Sequence, residues 1–193
     1  MGVQLYGRPG AGKSTLVDRL AASLSRLEAV GLVTPAARPP RLEEARGWCL
    51  REGARITAEG LLRLVERLPL GRLDFLFVEV ECDTACTPPV DVGCHARTVV
   101  LPAPGGLGEI ERAAAAIREA DFVLLTQGDR VAAGAAVVAA ARARVAAIAP
   151  VPAFVLSLFQ HSDWMEWIAY LERLRSRHLR PRSEAVPADL FLG

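Results

Sequence analysis

A glycine-rich stretch near the start of the chain has the composition of a phosphate-binding loop. Residues 7–14 read GRPGAGKS and match the pattern G-x-x-x-x-G-K-[ST] at every fixed position. Such glycines let backbone amides turn inward around an anion, and the following helix points its positive end at the same anion. We expect Lys13 to neutralise the β- and γ-phosphates and Ser14 to bind Mg²⁺. The predicted nucleotide contacts in this loop are Gly7, Gly10, Ala11, Gly12, Lys13, Ser14 and Thr15.

Lys13 is the one lysine in a chain otherwise rich in arginine. Of the 23 basic residues, 22 are arginine. Arginine replaces lysine easily on a surface, whereas a planar guanidinium fits poorly where a compact ammonium must reach into a phosphate cradle. The lysine at this position therefore favours a working phosphate site over a glycine-rich turn without a ligand.

A second candidate site follows an apolar run in the middle of the chain. Residues 74–79 read DFLFVE, and the run has the character of a buried parallel strand. An acid at the carboxyl end of such a strand points into the ligand crevice of the sheet. We therefore expect Glu79 to orient either a Mg²⁺-bound water or the attacking water. The alternative is an acid that merely ends a strand.

Alternating apolar runs and amphipathic stretches predict an α/β fold. We expect strands at 3–6, 29–33, 75–78, 97–101 and 122–125, and a short one within 147–158. Helices are expected at 13–27, 58–68, 110–120, 132–144 and 164–178, with loops at 34–41 and 81–95. This order predicts a P-loop NTPase with a mostly parallel sheet and helices on both faces. One nucleotide-binding domain would cover 1–179, followed by a tail at 180–193 that ends in an apolar LFL.

Composition and charge argue against several classes of partner. The net charge is +1, which gives no electrostatic basis for binding nucleic acid or an anionic membrane. No apolar run approaches the roughly 18 residues that a membrane span needs. No export signal precedes the predicted strand at 3–6, so a cytoplasmic location is expected.

Residues 74–101 carry a more specific resemblance. They read DFLFVEVECDTACTPPVDVGCHARTVVL, and they resemble the hydrogenase nickel-incorporation GTPases, which are grouped with the urease accessory GTPases. That family carries D-x-x-F-I-E-N-V-G-N-L-V-C-P followed by x-x-F-D-L-G-E-H-A-x-V-V-L-L. The positions that match in one gapless register are Asp74, Phe77, Glu79, Cys86, Asp91, Gly93, His95 and Ala96.

The resemblance extends from about residue 2 to 178. Residues 47–50, GWCL, fall where the family has G-x-C-H, and residues 120–129 resemble its A-D-L-V-x-x-N-K-x-D segment. The family implies a slow GTPase that works as a homodimer with GTP and Mg²⁺ and passes nickel toward a hydrogenase active site, with a metalloenzyme client or an accessory protein as its partner. Its nickel or zinc is held between subunits by cysteines whose counterparts here are Cys49 and Cys86. Asp129 matches the aspartate that binds the guanine base.

Several positions depart from the family pattern. Leu50 replaces the histidine of G-x-C-H, and residues 32–36 read LVTPA where the family has an acid after its second strand. Cys82 replaces the glycine of E-N-V-G, and residues 126–129 read TQGD in place of N-K-x-D. These departures predict a weakened preference for GTP, with ATP as the competing nucleotide, and slow hydrolysis.

Cysteine and histidine side chains are concentrated between residues 82 and 95. Cys82 and Cys86 have a spacing that metal ligands use, and Cys94 with His95 could complete a set of four. Thiolates and imidazoles suit Zn²⁺ or Ni²⁺ better than Mg²⁺. The alternative is that these cysteines pack as small hydrophobic residues.

Three functions are compatible with these patterns. The first is an active GTPase that delivers a metal. The second is a relative that binds nucleotide or metal without effective hydrolysis and acts as a scaffold or regulator of metallocentre assembly. The third is a small-molecule P-loop kinase, against which the gapless match over 74–101 argues.

Overall fold

The structure, a computed structural model, describes residues 1–24, 30–34, 47–51, 58–82, 91–130, 134–157 and 161–178. Seven strands form one sheet in the order β3-β2-β4-β1-β5-β6-β7, and every neighbouring pair is parallel. The strands are β1 (Gly2–Gly7), β2 (Val30–Thr34), β3 (Gly47–Arg51), β4 (Phe75–Glu81), β5 (Ala96–Pro102), β6 (Phe122–Thr126) and β7 (Ala153–Val155).

Six α-helices accompany these strands in the described ranges. They are α1 (Lys13–Leu24), α2 (Ala58–Val65), α3 (Gly106–Arg112), α4 (Ala114–Arg118), α5 (Gly134–Ile148) and α6 (His161–His178). None of the helices in the described part of the chain is long and apolar enough to cross a lipid bilayer.

Two apolar cores cover the two faces of the sheet. On one face, Leu20 of α1 and Trp167 and Leu171 of α6 are fully buried against the strands. On the other face, Leu64 of α2, Ile117 of α4 and Val145 of α5 belong to the second core. Burial on both faces explains why the central strands are continuous apolar runs instead of alternating patterns. The α/β fold with a parallel sheet and helices on both faces is confirmed.

The main difference from the sequence analysis is an additional edge strand. Residues 47–51 form β3, which pairs with β2, although the GWCL motif had been interpreted only as a metal-ligand position. The predicted helix at 110–120 is two short helices, yet the amide of Ala113 bonds the carbonyl of Glu109 and that of Ile117 bonds Ala113. Helical hydrogen bonding therefore continues across the junction.

Other boundaries differ by a few residues. Strand β4 continues to Glu81, three residues beyond the predicted end, and α2 ends at Val65 instead of residue 68. Most of the predicted loops at 34–41 and 81–95, and the tail at 180–193, lie outside the described residues.

Candidate functional site

The glycine-rich loop lies between β1 and α1, at the carboxyl edge of the sheet. Gly10 and Gly12 have φ angles of 78° and 87°, which L residues with a side chain rarely adopt. Gly7 is required for a different reason, because a Cβ there would lie 2.5 Å from the carbonyl oxygen of Val100 in β5. The pattern of glycines is thus enforced by the geometry of a tight loop on a buried sheet.

Lys13 is held against the loop that precedes it. Its side chain is only 4% exposed, and Nζ donates to the carbonyl oxygens of Gly7 (2.6 Å) and Arg8 (3.0 Å). Burial lowers the pKa of this ammonium, while the nearby carboxylates of Glu81 and Glu79 oppose the shift. A cation at the mouth of an amide-lined loop is the arrangement that neutralises phosphate oxygens.

Glu79 lies inside β4 and is almost completely buried, with 2% exposure. Its Oε2 accepts hydrogen bonds from Thr34 Oγ1 at 2.6 Å and from Ser14 Oγ at 3.3 Å. Its Oε1 is buried without a hydrogen-bond partner. Burial raises the pKa of this carboxyl, and the hydroxyl of Thr34 is the strongest influence in the opposite direction. A buried carboxyl oxygen without a partner is a position where a water molecule or an ion can bind.

Thr34 is the residue of this site that sequence reasoning missed. It had been considered only as part of a segment that lacks an acid. Strand β2 pairs with β4 so that Val33 lies opposite Val78, and this register brings Thr34 to Glu79. The sequence does show a threonine at the end of the predicted second strand. Its hydrogen-bond partner, however, depends on which strands are neighbours in the sheet, and the sequence alone does not reveal this.

The oxygen atoms of Ser14 and Glu79 are suitable ligands for Mg²⁺. The hydroxyl of Ser14 and the carboxylate of Glu79 are hard oxygen ligands, which Mg²⁺ prefers, and the ion usually completes its shell with phosphates and water. The unpartnered Oε1 of Glu79 provides ligand capacity that the protein itself does not use.

A cavity of about 400 Å³ opens beside the phosphate loop. Thr15, Gln127, Asp129, Ser157 and Trp164 are among the residues that line it. The indole Nε1 of Trp164 donates to the carbonyl of Ser157 at 2.7 Å, which fixes that wall of the cavity. Asp129, predicted to bind the base, therefore faces the same space as Thr15, predicted to lie near the α-phosphate.

Residues 126 and 127 join this cavity to the phosphate loop. Thr126 Oγ1 donates to the carbonyl of Ala11 at 2.6 Å, and the amide Nε2 of Gln127 donates to that of Gly10 at 3.2 Å. Gln127 has φ 59°, an uncommon left-handed conformation for a residue other than glycine. The side chains of these two residues thus bind the backbone of the phosphate loop at Gly10 and Ala11.

The cysteine and histidine candidates are divided between the two edges of the sheet. The amide of Cys82 contacts the carbonyl of Gly7 at the carboxyl edge, whereas Cys94 and His95 lie beside Gly2 at the amino edge. Cys82 is therefore separated from Cys94 and His95 by the length of β1, which is roughly 17 Å at about 3.3 Å per residue. Both β4 and β5 pair in parallel with β1, so the chain between them must cross from one edge to the other.

A four-ligand set that includes Cys82, Cys94 and His95 is therefore not formed, and this combination was wrong. Burial raises the pKa of Cys94 to about 12. His95 uses Nδ1 to accept a hydrogen bond from the amide of Gly2 at 2.9 Å. Cys82 and Cys94 both pack against the second apolar core.

Cys49 and Cys86 are less fully described. Cys49 lies in β3, opposite Leu32 of β2, and Cys86 falls outside the described residues. Within the described ranges, no group of three or more His, Cys, Asp or Glu side chains could hold a metal ion. The pair Cys49 and Cys86 remains a prediction.

Comparison with known proteins identifies similar structures. No protein-family model matches the sequence, and no curated protein matches it. The hydrogenase maturation factor HypB from Archaeoglobus fulgidus matches with a TM-score of 0.76 at 20% identity, over 91% of this chain and 90% of that one. HypB from Helicobacter pylori, solved in complex with nickel, matches with 0.75 at 18% identity, over 94% and 89%.

A more distant match is the cell division protein FtsY from Thermotoga maritima, with a TM-score of 0.62 at 17% identity, over 84% of this chain and 63% of that one. The two HypB structures, in contrast, match along nearly the whole of both chains. The phosphate loop and these similarities together identify the fold of this chain as a P-loop α/β fold similar to that of the two HypB structures.

Proposed function

We propose that this protein binds a nucleoside triphosphate, with GTP preferred over ATP, together with Mg²⁺. The observation that carries the proposal is the buried Glu79 carboxylate. One of its oxygens is held by the hydroxyls of Ser14 and Thr34, and the other has no partner. The Glu79 carboxylate lies beside the phosphate loop, where Lys13 donates to the carbonyl oxygen of Gly7.

Lys13, Ser14, Glu79 and the amino end of α1 would contact the phosphates and Mg²⁺ of the nucleotide. Lys13 exchanges the carbonyl oxygens of Gly7 and Arg8 for phosphate oxygens, which are stronger acceptors because they are charged. Ser14 and Glu79 would hold Mg²⁺, which would supply positive charge to the phosphates. The amino end of α1 adds a favourable dipole at the same place.

The base would occupy the cavity that Asp129 and Trp164 line. A carboxylate there can accept hydrogen bonds from the N1 and N2 hydrogens of guanine, which adenine lacks. Gln127 stands where the family motif has lysine, and its side chain is engaged with Gly10. We therefore expect GTP to bind more tightly than ATP by a modest factor.

We further propose a role in metallocentre assembly, as the similarity to HypB suggests. In this role a homodimer in the cytoplasm would hold nickel or zinc with Cys49 and Cys86 and deliver the metal to a client enzyme. Size-exclusion chromatography with light scattering, with and without GTP and Ni²⁺, tests this step. A protein that stays monomeric and takes up no metal under all conditions would leave only the nucleotide function.

The second candidate is a protein that binds GTP and hydrolyses it poorly. Thr34 supplies a neutral hydroxyl to Glu79 at the end of β2, where the family has acids. Cys82 replaces a glycine at the edge of the phosphate site. Single-turnover phosphate release measures this directly, and a rate no higher than that of Lys13→Ala would assign a scaffold or regulatory role.

Calorimetric titration of GTP, GDP and ATP in the presence of Mg²⁺ tests nucleotide binding. Wild type and Lys13→Ala are compared, with Arg63→Ala as a control that removes one exposed cation of α2. We expect micromolar binding of GTP that the control retains and Lys13→Ala loses. Equal affinity for GTP and ATP would show that the site recognises only the phosphates. If none of the nucleotides binds, the proposal is wrong.

A further inference from the structure

An apolar groove lies at the amino edge of the sheet, away from the nucleotide site. Four residues of α2 at helical spacing line one side of it, and Leu70 and Cys94 line the others. We call this the α2 groove, and the four residues of α2 are Ala58, Leu61, Leu62 and Val65. Its volume is about 510 Å³.

Two large apolar side chains of the α2 groove are exposed. Leu62 is 61% exposed and Leu70 is 47% exposed. These are two of the four large hydrophobic side chains that are exposed in the described ranges, and both border the same groove. Two exposed leucines beside one apolar groove provide a surface where an apolar segment can pack.

The end of α6 lies at the rim of this groove. Helix α6 ends at His178, whose ring is 5.7 Å from the ring of His95, and His95 lines the groove. The chain continues after His178 with residues 179–193, LRPRSEAVPADLFLG, which lie outside the described residues. The three large apolar residues at 190–192 are therefore tethered to the groove's rim.

We propose that Leu190, Phe191 and Leu192 of the same chain dock in the α2 groove. The eleven residues between His178 and Leu190 span at most roughly 36–40 Å when extended. Helix α2, with eight residues, is only about 12 Å long. The tether therefore reaches every part of the groove.

The same molecule is the favoured source of this segment. A short tether raises the effective concentration of its end to the millimolar range, well above the concentration of a second copy in solution. Among the described residues, a second apolar pocket with an exposed leucine is lined by Leu107 of α3, which follows the carboxyl end of β5. That pocket lies toward the opposite edge of the sheet from His178.

The docked segment would bury Leu62 and Leu70 and join α6 on one face of the sheet to α2 on the other. This contact is separate from the nucleotide function, since no described residue lines both the α2 groove and the nucleotide cavity. Its presence or absence can thus be established without nucleotide.

Photo-crosslinking in the full chain tests the proposal. Phe191 is replaced by the photoreactive analogue benzoylphenylalanine, and a matched control carries the analogue at Ser183. After irradiation, mass spectrometry identifies the crosslinked peptides. We expect the probe at 191 to react within residues 58–73 or 91–95 of its own chain, and the probe at 183 to do so at least about tenfold less.

Two further variants make the result specific. Leu62→Asp should reduce the yield from the probe at 191 about tenfold, because a charge in an apolar groove opposes docking. Leu107→Asp adds the same charge to an exposed leucine of the other pocket and should leave the yield unchanged. Crosslinks between chains, detected by mixing light and isotopically labelled protein, would overturn the proposal in favour of a second copy. Crosslinks confined to other regions, or none, would overturn it altogether.

Discussion

The hydrogen bond between Thr34 and Glu79 can be tested by removing one hydroxyl. Thr34→Val keeps the shape of the side chain and deletes the donor that lies 2.6 Å from Oε2 of Glu79. Both residues are at most 2% exposed, so water cannot replace the lost donor. A hydrogen bond to a charged group contributes about 1.5–3 kcal/mol. In a domain of this size, the melting temperature should fall by about 3–12 °C.

Thr98 provides a matched control within the same sheet. It is equally buried at 1% exposure, and its hydroxyl donates to a neutral acceptor, the carbonyl of Phe122, at 3.0 Å. Thr98→Val should therefore cost only about 0.5–1.5 kcal/mol. The excess cost of Thr34→Val over Thr98→Val isolates the contribution of the charge on Glu79.

The dependence on pH gives this prediction a second readout. Burial raises the pKa of Glu79, and removing the Thr34 hydroxyl should raise it further, because that hydrogen bond favours the charged form. When the folded pKa exceeds the unfolded value, the contribution to stability is complete below the unfolded pKa and is lost as the pH rises through the folded pKa. The cost of Thr34→Val should thus be smallest below the unfolded pKa of Glu79 and should increase as the pH rises through its raised folded pKa.

Thermal and denaturant unfolding, followed by tryptophan fluorescence in EDTA without nucleotide, is the appropriate assay. EDTA is needed because a bound metal ion or nucleotide would add its own stabilisation. Two results would refute the reasoning: a cost of Thr34→Val at pH 8 no greater than that of Thr98→Val, or a cost that increases as the pH falls.

Three further predictions concern the nucleotide site. Gly7→Ala should destabilise the fold by about 1–3 kcal/mol, because its Cβ would meet the carbonyl of Val100. Denaturant titration measures this loss, and Gly71→Ala, where a Cβ meets nothing within 4 Å, should show none. Gln127→Val should unfold more easily than Gln127→Asn by about 1–2 kcal/mol, since a β-branched residue tolerates a φ of 59° poorly. Asp129→Asn should weaken GTP binding about tenfold and leave ATP binding unchanged in calorimetry; equal losses for both nucleotides would indicate a general distortion.

Local patterns were sufficient to predict most of the fold. The loop at 7–14 has a fixed motif, and the strands at 75–78 and 122–125 are continuous apolar runs, so both could be recognised within a few residues. Strand β3 escaped recognition because its five residues, GWCLR, contain a glycine and a charge and form an edge, where burial imposes less of a pattern.

The details of the site depended on contacts that sequence distance does not reveal. Thr34 and Glu79 meet only because β2 and β4 are neighbours, and the residues are 45 positions apart. Cys82 and Cys94 show the opposite case: they are close in sequence, and a shared metal was one of two interpretations of that spacing. A parallel sheet separates them, because the end of one strand and the start of the next lie at opposite edges.

The position of Lys13 has a consequence for covalent modification of this protein. It is the only lysine in 193 residues, and its amine is buried in the phosphate loop. Enzymes that acetylate or ubiquitinate lysine therefore find no side-chain amine on the surface of the folded chain. Labelling of Lys13 by an amine reagent would therefore measure how often the phosphate loop opens.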